Sequence, residues 1–437
     1  MRKIKVVSLL IVLSLTMLNA GISGAQTAAP KTVKLGFVAD VSGIGYVFSQ
    51  SQEAGLELAI ADINAAGGIL GSKIDAPEIR DAQLTASIGA DAAKQMILQD
   101  HVDFLLGGTS SGVAAALEQV AKDNHVVLAL HTSNAASLTT TGGNPYVFEV
   151  VPNTTIEARA VAKYVTSQAD LAKLTKWGTI GPDYSFGHDS FNAFQPLLTK
   201  LNSSASVINS QWPKLGETDL SPFITALQGT KPEAIFSNLW GDELATFLQQ
   251  AQPLGVLDNT PFIGLFDVDV LKEIGSDLPT GKAIYGYSRA PFYAYNTDTM
   301  TKFIAKYKKL TNGQWPSDWA ITMYDAVWTL KAAAEKAGST NGDAVAKALD
   351  DLSVDSLRGP LTIRACDHMA NVGEWVGKLS SAVDSKYGIG ILTDLQYIKA
   401  EDTWDSCDAI AAMRQSAAAN ATATAAAKAA ATMAPTK

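Results

Sequence analysis

From Thr32 onward, short runs of apolar residues alternate with longer amphipathic stretches. Val33–Ala39 has the continuous apolar character of a buried strand. Gln52–Ala65 repeats apolar residues at helical spacing, and Gly67-Gly68 ends that pattern. This alternation continues and predicts a mostly parallel, doubly wound sheet with helices on both faces. The other elements predicted for this first half are the strands 74–80, 102–106 and 126–130 and the helices 88–99 and 113–123.

The same rhythm restarts after Pro152-Asn153 and predicts a second α/β lobe of similar size. Two later helices, 300–310 and 321–336, are not followed by the strands that a third sheet would need. We therefore expect them to return and cover an existing lobe. The elements predicted for the second lobe are the strands 177–180, 206–209, 234–238 and 261–265 and the helices 190–201 and 243–252.

The two ends of the chain differ from the body in composition. A basic start, Met1–Lys5, precedes the apolar run Val6–Leu18 and the small residues Ser23-Gly24-Ala25. This three-part pattern is typical of a secretory signal peptide over residues 1–25, cleaved near Ala25, and the apolar run is too short to span a bilayer. At the other end, residues 411–437 are rich in Ala and Thr, which predicts a disordered or loosely helical tail.

Charge and cysteine content narrow the function classes. Removal of residues 1–25 takes away three basic residues and lowers the formal net charge from −9 to −12. An acidic exported protein is a poor partner for nucleic acid or an anionic membrane surface. Cys366 and Cys407 are the only cysteines, and an oxidising compartment favours a disulfide between them over two free buried thiols. Neither a metal-ligand cluster nor a cofactor motif is evident, so we expect no metal and no cofactor.

Gly108-Thr109-Ser110-Ser111-Gly112 matches the G-x-S-x-G pattern of a hydrolase nucleophile elbow. Ser110 would be the nucleophile, and His188 or His368 could formally act as its base. An elbow requires a tight turn from strand to helix, whereas two glycines and a threonine separate the strand from Ser110 here. The context therefore disfavours a secreted serine hydrolase.

A binding site fits the same residues better. Thr109, Ser110 and Ser111 stand at the start of the helix that follows the third strand, and the next strand ends in His131–Asn134. Ligands of open α/β sheets bind beyond the carboxyl ends of the strands, and a helix N-terminus favours an anion. The two adjacent strand ends thus predict a site for a carboxylate and an amine. The alternative is that these residues only cap helices.

Four segments resemble a known family, the type I periplasmic solute-binding proteins. Within it they are similar to the branched-chain amino acid (leucine/isoleucine/valine-binding) group of ABC importers. The resemblance implies two Rossmann-like lobes joined by a three-stranded hinge, with residues 32–152 and 281–357 in lobe 1 and residues 153–280 and 358–410 in lobe 2. It also implies that the lobes close around a ligand. The segments are VKLGFVADVSG (33–43), GLELAIADINAAGGILG (55–71), LLGGTSSG (105–112) and LHTSNAASLT (130–139).

Transferred by position, the resemblance implies ligand-binding residues from both lobes. Lobe 1 would hold the carboxylate and amine of the ligand with its hydroxyl and amide side chains. Lobe 2 would add aromatic walls, and Asp267 would face an ammonium group. The implied residues are Ser110, Ser111, Thr132, Ser133, Asn134, Phe48, Phe186, Trp240, Phe266, Asp267 and Trp319.

Departures from the family pattern change the expected ligand. Leucine-binding members usually carry tyrosines where this chain has Phe48, Phe186 and Trp240, and His131 and Glu149 replace a common proline and arginine. Loss of phenol hydroxyls enlarges the apolar surface, which favours a bulkier or aromatic ligand. An aromatic carboxylate without an amino group is therefore an alternative to a branched-chain or aromatic amino acid.

The sequence thus predicts a monomeric, non-enzymatic receptor in the periplasm of a Gram-negative bacterium. Its partners would be a small apolar ligand and the permease–ATPase complex of an ABC importer in the inner membrane. A ligand sensor of the same fold is the second hypothesis, and a serine hydrolase using Ser110 is the third.

Overall fold

The first sheet contains five parallel strands, all from the first third of the chain. The computed structural model describes residues 31–279 and 283–432. In chain order the elements are β1 (Leu35–Ala39), α1 (Tyr46–Ala65), β2 (Glu78–Asp81), α2 (Ala86–Leu98), β3 (Phe104–Gly107), α3 (Ser111–Asn124), β4 (Val127–Leu130), α4 (Ala136–Thr139) and β5 (Val147–Glu149). The strand order is β2-β1-β3-β4-β5. Every residue of β1, β3, β4 and β5 is buried, which explains the continuous apolar sequences of the first three, whereas β5 ends in the buried Glu149.

The second sheet repeats this topology and extends it. The first nine elements of the lobe around it are α5 (Thr154–Ser167), β6 (Lys176–Ile180), α6 (Ser185–Leu201), β7 (Ser206–Gln211), α7 (Ser221–Thr230), β8 (Ala234–Ser237), α8 (Asp242–Ala251), α9 (Val256–Asn259) and β9 (Phe262–Leu265). The other elements of this lobe are α10 (Val268–Ile274), β10 (Ile284–Ser288), β13 (Glu374–Leu379) and β14 (Leu392–Ile398). The order β14-β13-β10-β9-β8-β6-β7 contains the five parallel strands in the same 2-1-3-4-5 arrangement as the first sheet. β13 and β14 add antiparallel to that edge.

The chain returns to the first lobe through the elements between β10 and β13. These are α11 (Asp298–Leu310), α12 (Asp318–Ala337), α13 (Gly342–Ala348), β11 (Ser353–Ser356) and β12 (Gly359–Thr362). α12 packs closely along α1, because a Cβ at Gly55 would lie 2.3 Å from the carbonyl oxygen of Ala320. The late helix predicted from residue 321 does therefore cover an existing lobe.

The lobe boundaries differ from those expected. β10 pairs in parallel with β9, so the chain leaves the second lobe only after β10 and not near residue 281. Leu361 and Ala370, which follow residue 358, also pack in the first lobe's core. The return to the second lobe therefore lies between β12 and β13 and not at residue 358. The run Ile284–Ser288 is a strand that the apolar pattern of the sequence does not predict, and it lies beyond the boundary that the resemblance implied.

The C-terminal segment is tied to the body of the protein. Cys366 and Cys407 form a disulfide, with their Cα atoms 5.7 Å apart. A helix, α14 (Cys407–Thr432), begins at this bond. Of the two alternatives predicted for the tail from residue 411, disordered or loosely helical, its described residues adopt the helical one, because the alanine-rich composition supports a helix. Arg414, on the second turn, hydrogen-bonds to three main-chain carbonyl groups of the body.

The predicted signal peptide, residues 1–25, lies outside the described residues. In the part of the chain that is described, no helix is both long and apolar enough to cross a membrane.

Candidate functional site

The carboxyl ends of the two sheets face each other across a closed cleft. The aromatic ring of Phe48, on the first turn of α1, lies 5.4 Å from that of Trp240, which follows β8. Between the lobes is a cavity of about 20 Å³, room for about one water-sized sphere, so a ligand can enter only if the lobes or the side chains move. This interlobe cavity is lined by Phe48, Thr109, Ser111, Thr132, Ser133, Asn134, Tyr184, Phe186, Trp240, Leu265, Arg289 and Trp319.

The loop after β3 is positioned by a close main-chain contact. Gly107 has a φ of +132°, and a Cβ there would lie 2.2 Å from the carbonyl oxygen of Val38. The loop then leads to Ser110, whose Oγ caps α3 by accepting a hydrogen bond of 3.3 Å from the Val113 amide. Ser111 Oγ accepts a hydrogen bond of 3.1 Å from the Ala135 amide, so its own proton can be donated into the cavity.

The loop after β4 is held by uncharged polar contacts. Thr132 Oγ1 accepts a hydrogen bond of 2.8 Å from Gln52 and shares another of 2.8 Å with His131 Nδ1. Burial lowers the pKa of His131 to about 3, so the imidazole is neutral at ordinary pH. Asn134 donates a hydrogen bond of 2.7 Å to the carbonyl oxygen of Pro152. This lobe therefore offers hydroxyl and amide groups but no charge.

Aromatic rings form the walls of the cavity. Phe48 packs against Trp240 and also edge-on against Trp319, with centroids 5.5 Å apart. On the second lobe, Tyr184 stacks with Phe186 at 5.9 Å. Such walls match a flat apolar body.

Arg289, which follows β10, is the cation of the site. It is 3% exposed, and its guanidinium lies 5.0 Å from the ring of Trp319. Nε donates to Glu157 Oε1 at 2.5 Å, and Nη1 donates to the Thr132 carbonyl oxygen at 2.6 Å. These bonds link the second sheet to the loop after β4 in the first lobe. No hydrogen bond from Nη2 is present among the described residues, so it remains a donor for a bound anion.

Three buried glutamates surround this guanidinium. Burial raises the pKa of Glu149, Glu157 and Glu374, while the attraction of Arg289 lowers the pKa of each. Glu149 Oε1 and Glu374 Oε2 have no hydrogen-bond partner among the described residues. A single guanidinium balances one carboxylate, so the raised pKa values favour protons on the others.

Four polar atoms of the lining have no hydrogen-bond partner in the described part of the chain. They are Thr109 Oγ1, Ser133 Oγ, Trp240 Nε1 and Trp319 Nε1. Buried polar groups are nearly always paired, so Ser133 and Trp319 indicate a site for a polar ligand, whereas Thr109 lies against the Asp40 carboxyl group and Trp240 against the Tyr184 hydroxyl. Two of the four are indole N–H groups, which can only donate.

Eight of the eleven residues predicted for the site line the cavity, and Phe48 does so from the first turn of α1. Ser110, Phe266 and Asp267 do not line it. Ser110 is a helix cap, Phe266 is buried in the second lobe's core, and Asp267 accepts hydrogen bonds from the amides of Asp269 and Val270 at the start of α10. The expected partner for an ammonium group is thus used as a helix cap.

Thr109, which the sequence places beside Ser110 at the predicted site, also lines the cavity, whereas the sequence does not predict Tyr184, Leu265 or Arg289. Tyr184 and Leu265 stand within two residues of the predicted Phe186 and Phe266 and could have been included by proximity. Arg289 could have been found only by recognising Ile284–Ser288 as a strand, because a residue at the carboxyl end of a parallel strand faces the cleft.

The hydrolase hypothesis has no support in this geometry. No histidine hydrogen-bonds to Ser110 among the described residues, and its Oγ serves as the cap of α3. Nor do His, Cys, Asp and Glu residues of the described ranges form a cluster that could hold a metal ion.

A larger groove, of about 880 Å³, lies at the opposite end of the second sheet, and Lys173, Lys231 and Pro261 are among its lining residues. It is at the amino ends of the strands, whereas ligands of parallel α/β sheets bind at the carboxyl ends. The small interlobe cavity is therefore the better candidate despite its volume.

Comparison with known proteins agrees with the fold. The Leu/Ile/Val-binding protein homolog 3 of Brucella melitensis is 28% identical over 352 residues, which cover 78% of this chain and 89% of the relative. A solute-binding protein of an R. palustris ABC transporter, solved in complex with benzoate, matches with a TM-score of 0.74 at 18% identity, covering 84% of this chain and 97% of that one.

A branched-chain amino acid transporter substrate-binding protein of Streptococcus pneumoniae, in complex with isoleucine, matches with a TM-score of 0.70 at 21% identity. The match covers 84% of this chain and all of that one. The family model described as periplasmic binding protein matches residues 32–384. The chain therefore belongs to the periplasmic binding protein family.

Proposed function

We propose that this protein captures a small apolar carboxylate in the interlobe cavity and delivers it to an ABC importer. The observation that carries the proposal is the chemistry of the cavity lining, which gathers hydrogen-bond donors and aromatic rings around one guanidinium. Arg289, the two indole N–H groups and the hydroxyl of Ser111 can all donate to a carboxylate. Phe48, Phe186 and the tryptophan rings would enclose its apolar body.

Within this class, the lining favours an aromatic acid over an amino acid. None of the described lining residues is an aspartate or glutamate, so an ammonium group would meet no carboxylate there. Burying an unpaired ammonium is costly, because desolvation penalises a charge that has no partner. A benzoate-bound structural neighbour of the same fold supports this preference.

The second candidate is a branched-chain or aromatic amino acid. It is favoured by the names of the curated relatives, which are Leu/Ile/Val-binding proteins. In this case Glu157, which borders the cavity through Arg289, would have to release the guanidinium and turn toward the ammonium group.

A thermal-shift series separates the two candidates, since a ligand that binds only the folded state raises the melting temperature. We expect benzoate and 4-hydroxybenzoate to raise it, and benzamide, the matched neutral control, to leave it unchanged. A shift with leucine and none with benzoate would select the amino acid. A shift with sugars alone would contradict the proposed carboxylate site.

We further propose that the protein is exported, cleaved near Ala25 and active as a monomer in the periplasm of a Gram-negative bacterium. The three-part N-terminal sequence and the family support this location. Its partner would be the permease–ATPase complex of the importer. Ligand uptake by vesicles that contain this complex tests the role, and uptake that does not depend on the protein would favour a sensor instead.

A further inference from the structure

The four-residue helix α4 is held at both ends by groups from outside its own sheet. It directly follows Ser133 and Asn134 of the cavity lining. Its position therefore fixes the loop that contributes most of the first lobe's polar ligand-binding groups. The holding contacts come from the second lobe at one end and from the C-terminal helix at the other.

The contact at the N-terminal end of α4 crosses the cleft. Asp189, on α6 of the second lobe, accepts two hydrogen bonds from Ser137, at 3.1 Å from its amide and at 2.9 Å from its hydroxyl. The carboxylate thus caps the start of a helix in the opposite lobe, where a negative charge is favoured. These bonds join the two lobes in the closed structure.

The contact at the C-terminal end is made by Arg414 of α14. Its guanidinium donates to the Thr139 and Thr140 carbonyl oxygens at 2.8 and 2.7 Å, and to the Cys366 carbonyl oxygen at 2.7 Å. A cation here satisfies carbonyl groups that a helix end leaves unpaired. The disulfide between Cys366 and Cys407 fixes the start of α14, and Arg414 follows within two turns.

We propose that Arg414 and the Cys366–Cys407 disulfide form a positioning device for closure: they fix α4 so that Ser137 meets Asp189 of the other lobe. Neither group touches the cavity, so the device acts through the position of α4 and not on the ligand. Its link to ligand affinity rests on the function proposed above. The inference also gives the first two turns of α14 a role, whereas the alanine-rich remainder of the helix takes no part in it.

Amide hydrogen exchange of the full-length, ligand-free protein tests the device without a ligand. We expect Asp189→Asn to speed exchange at the Ser137 amide by about tenfold or more, the factor expected for loss of one charge-assisted hydrogen bond. Arg414→Gln should have a similar effect, and the double variant should add little, because both changes release the same helix. Lys163→Gln is the matched control, since it removes only an exposed ion pair of 3.8 Å to Asp402 in the same terminal region.

Two milder perturbations cover the case in which Arg414→Gln does not fold. Arg414→Lys keeps the charge but loses the fork geometry, and should speed exchange at Ser137 by a smaller factor. Reduction of the wild type with a phosphine should do the same through the disulfide. The proposal is overturned if these changes leave Ser137 protected, or if they speed exchange equally in both sheets, which would show general destabilisation. A failed thermal shift with every carboxylate, alongside these exchange effects, would reject the proposed function alone.

Discussion

Replacement of Arg289 by methionine is the most direct test of the buried charge cluster. Methionine keeps much of the length and apolar volume of the side chain but removes the guanidinium. Glu157, which is 2% exposed, would then lose its partner at 2.5 Å. Removing one member of a buried ion pair costs about 3–5 kcal/mol, because the remaining charge has no compensation. We expect the free energy of unfolding at pH 8 to fall by about this amount.

The pH dependence of that loss follows from Glu157. Its pKa is raised by burial even beside Arg289, and removal of the cation raises it further. At pH 5 Glu157 of the variant can bind a proton and become neutral, so the loss should be smaller than at pH 8. The double variant Arg289→Met/Glu157→Gln carries no charge on either side chain and should recover most of the stability at both pH values.

Ligand binding separates the role of Arg289 in the site from its role in the fold. The double variant retains the aromatic walls but lacks the guanidinium. Loss of one hydrogen bond to a charged group is worth about 1.5–3 kcal/mol, which is about 10- to 150-fold in the dissociation constant. Urea unfolding gives the stability, and titration calorimetry with benzoate gives the affinity. Undiminished benzoate affinity in a stably folded double variant would refute the assignment of Arg289 as the carboxylate anchor.

Three further predictions concern other parts of the molecule. Burial raises the pKa of Glu118 from 4.5 to about 8. Between these two pH values the folded protein therefore holds a proton on Glu118 that the unfolded chain has lost. The free energy of unfolding should fall by about 1.4 kcal/mol per pH unit as pH rises through this range. Glu118→Gln should flatten this slope in urea titrations between pH 5 and 8, and an unchanged slope would assign it to other groups. Gly107→Ala should lower the free energy of unfolding by at least about 2 kcal/mol, because its Cβ would meet the Val38 carbonyl oxygen at a positive φ. The control is Gly112→Ala on α3, where the new Cβ would have only Ser110 Oγ nearby, at 3.9 Å. This control should be neutral or stabilising by up to about 1 kcal/mol. Trp240→Phe keeps a ring but removes an unpaired indole N–H, and should weaken ligand binding by about 3- to 10-fold without lowering the melting temperature; equal affinity would show that this N–H is not used.

Much of the fold could be predicted because its sheets are buried on both faces. Strands such as β3 and β4 are entirely apolar, and the helices between them have one apolar face, so the two patterns alternate visibly along the chain. The pattern does not predict β10, because its sequence IYGYS contains a glycine and two tyrosines, which weaken the apolar signal. Because the sequence does not predict β10, Arg289 at its end is absent from the predicted site residues.

Asp267 and Ser110 show why residue roles within a site resist prediction. Both stand where strands end, and both are short polar residues before a helix, which suits either a ligand or a helix cap. In the structure each has its side chain turned to the amides of the following helix. Ser111, one residue after Ser110, faces the cavity instead. The sequence places such residues at the correct edge of the sheet. Neighbouring side chains at the start of a helix point in different directions, however, and this direction decides which of them a ligand can reach.

Arg289 makes contacts with both lobes beside the cavity, and this would link ligand binding to closure. Arg289 follows a strand of the second sheet, yet it donates to the Thr132 carbonyl oxygen of the first lobe and contacts Trp319 at the start of α12. A ligand can shift the balance between open and closed lobes only through contacts that differ between the two states. A carboxylate held between Arg289 and Ser111 makes such contacts, because these two groups belong to different sheets. If Arg289 binds the carboxylate as proposed, the same guanidinium would favour closure, and an apolar ligand without a carboxylate, such as benzamide, would lack that part of the driving force.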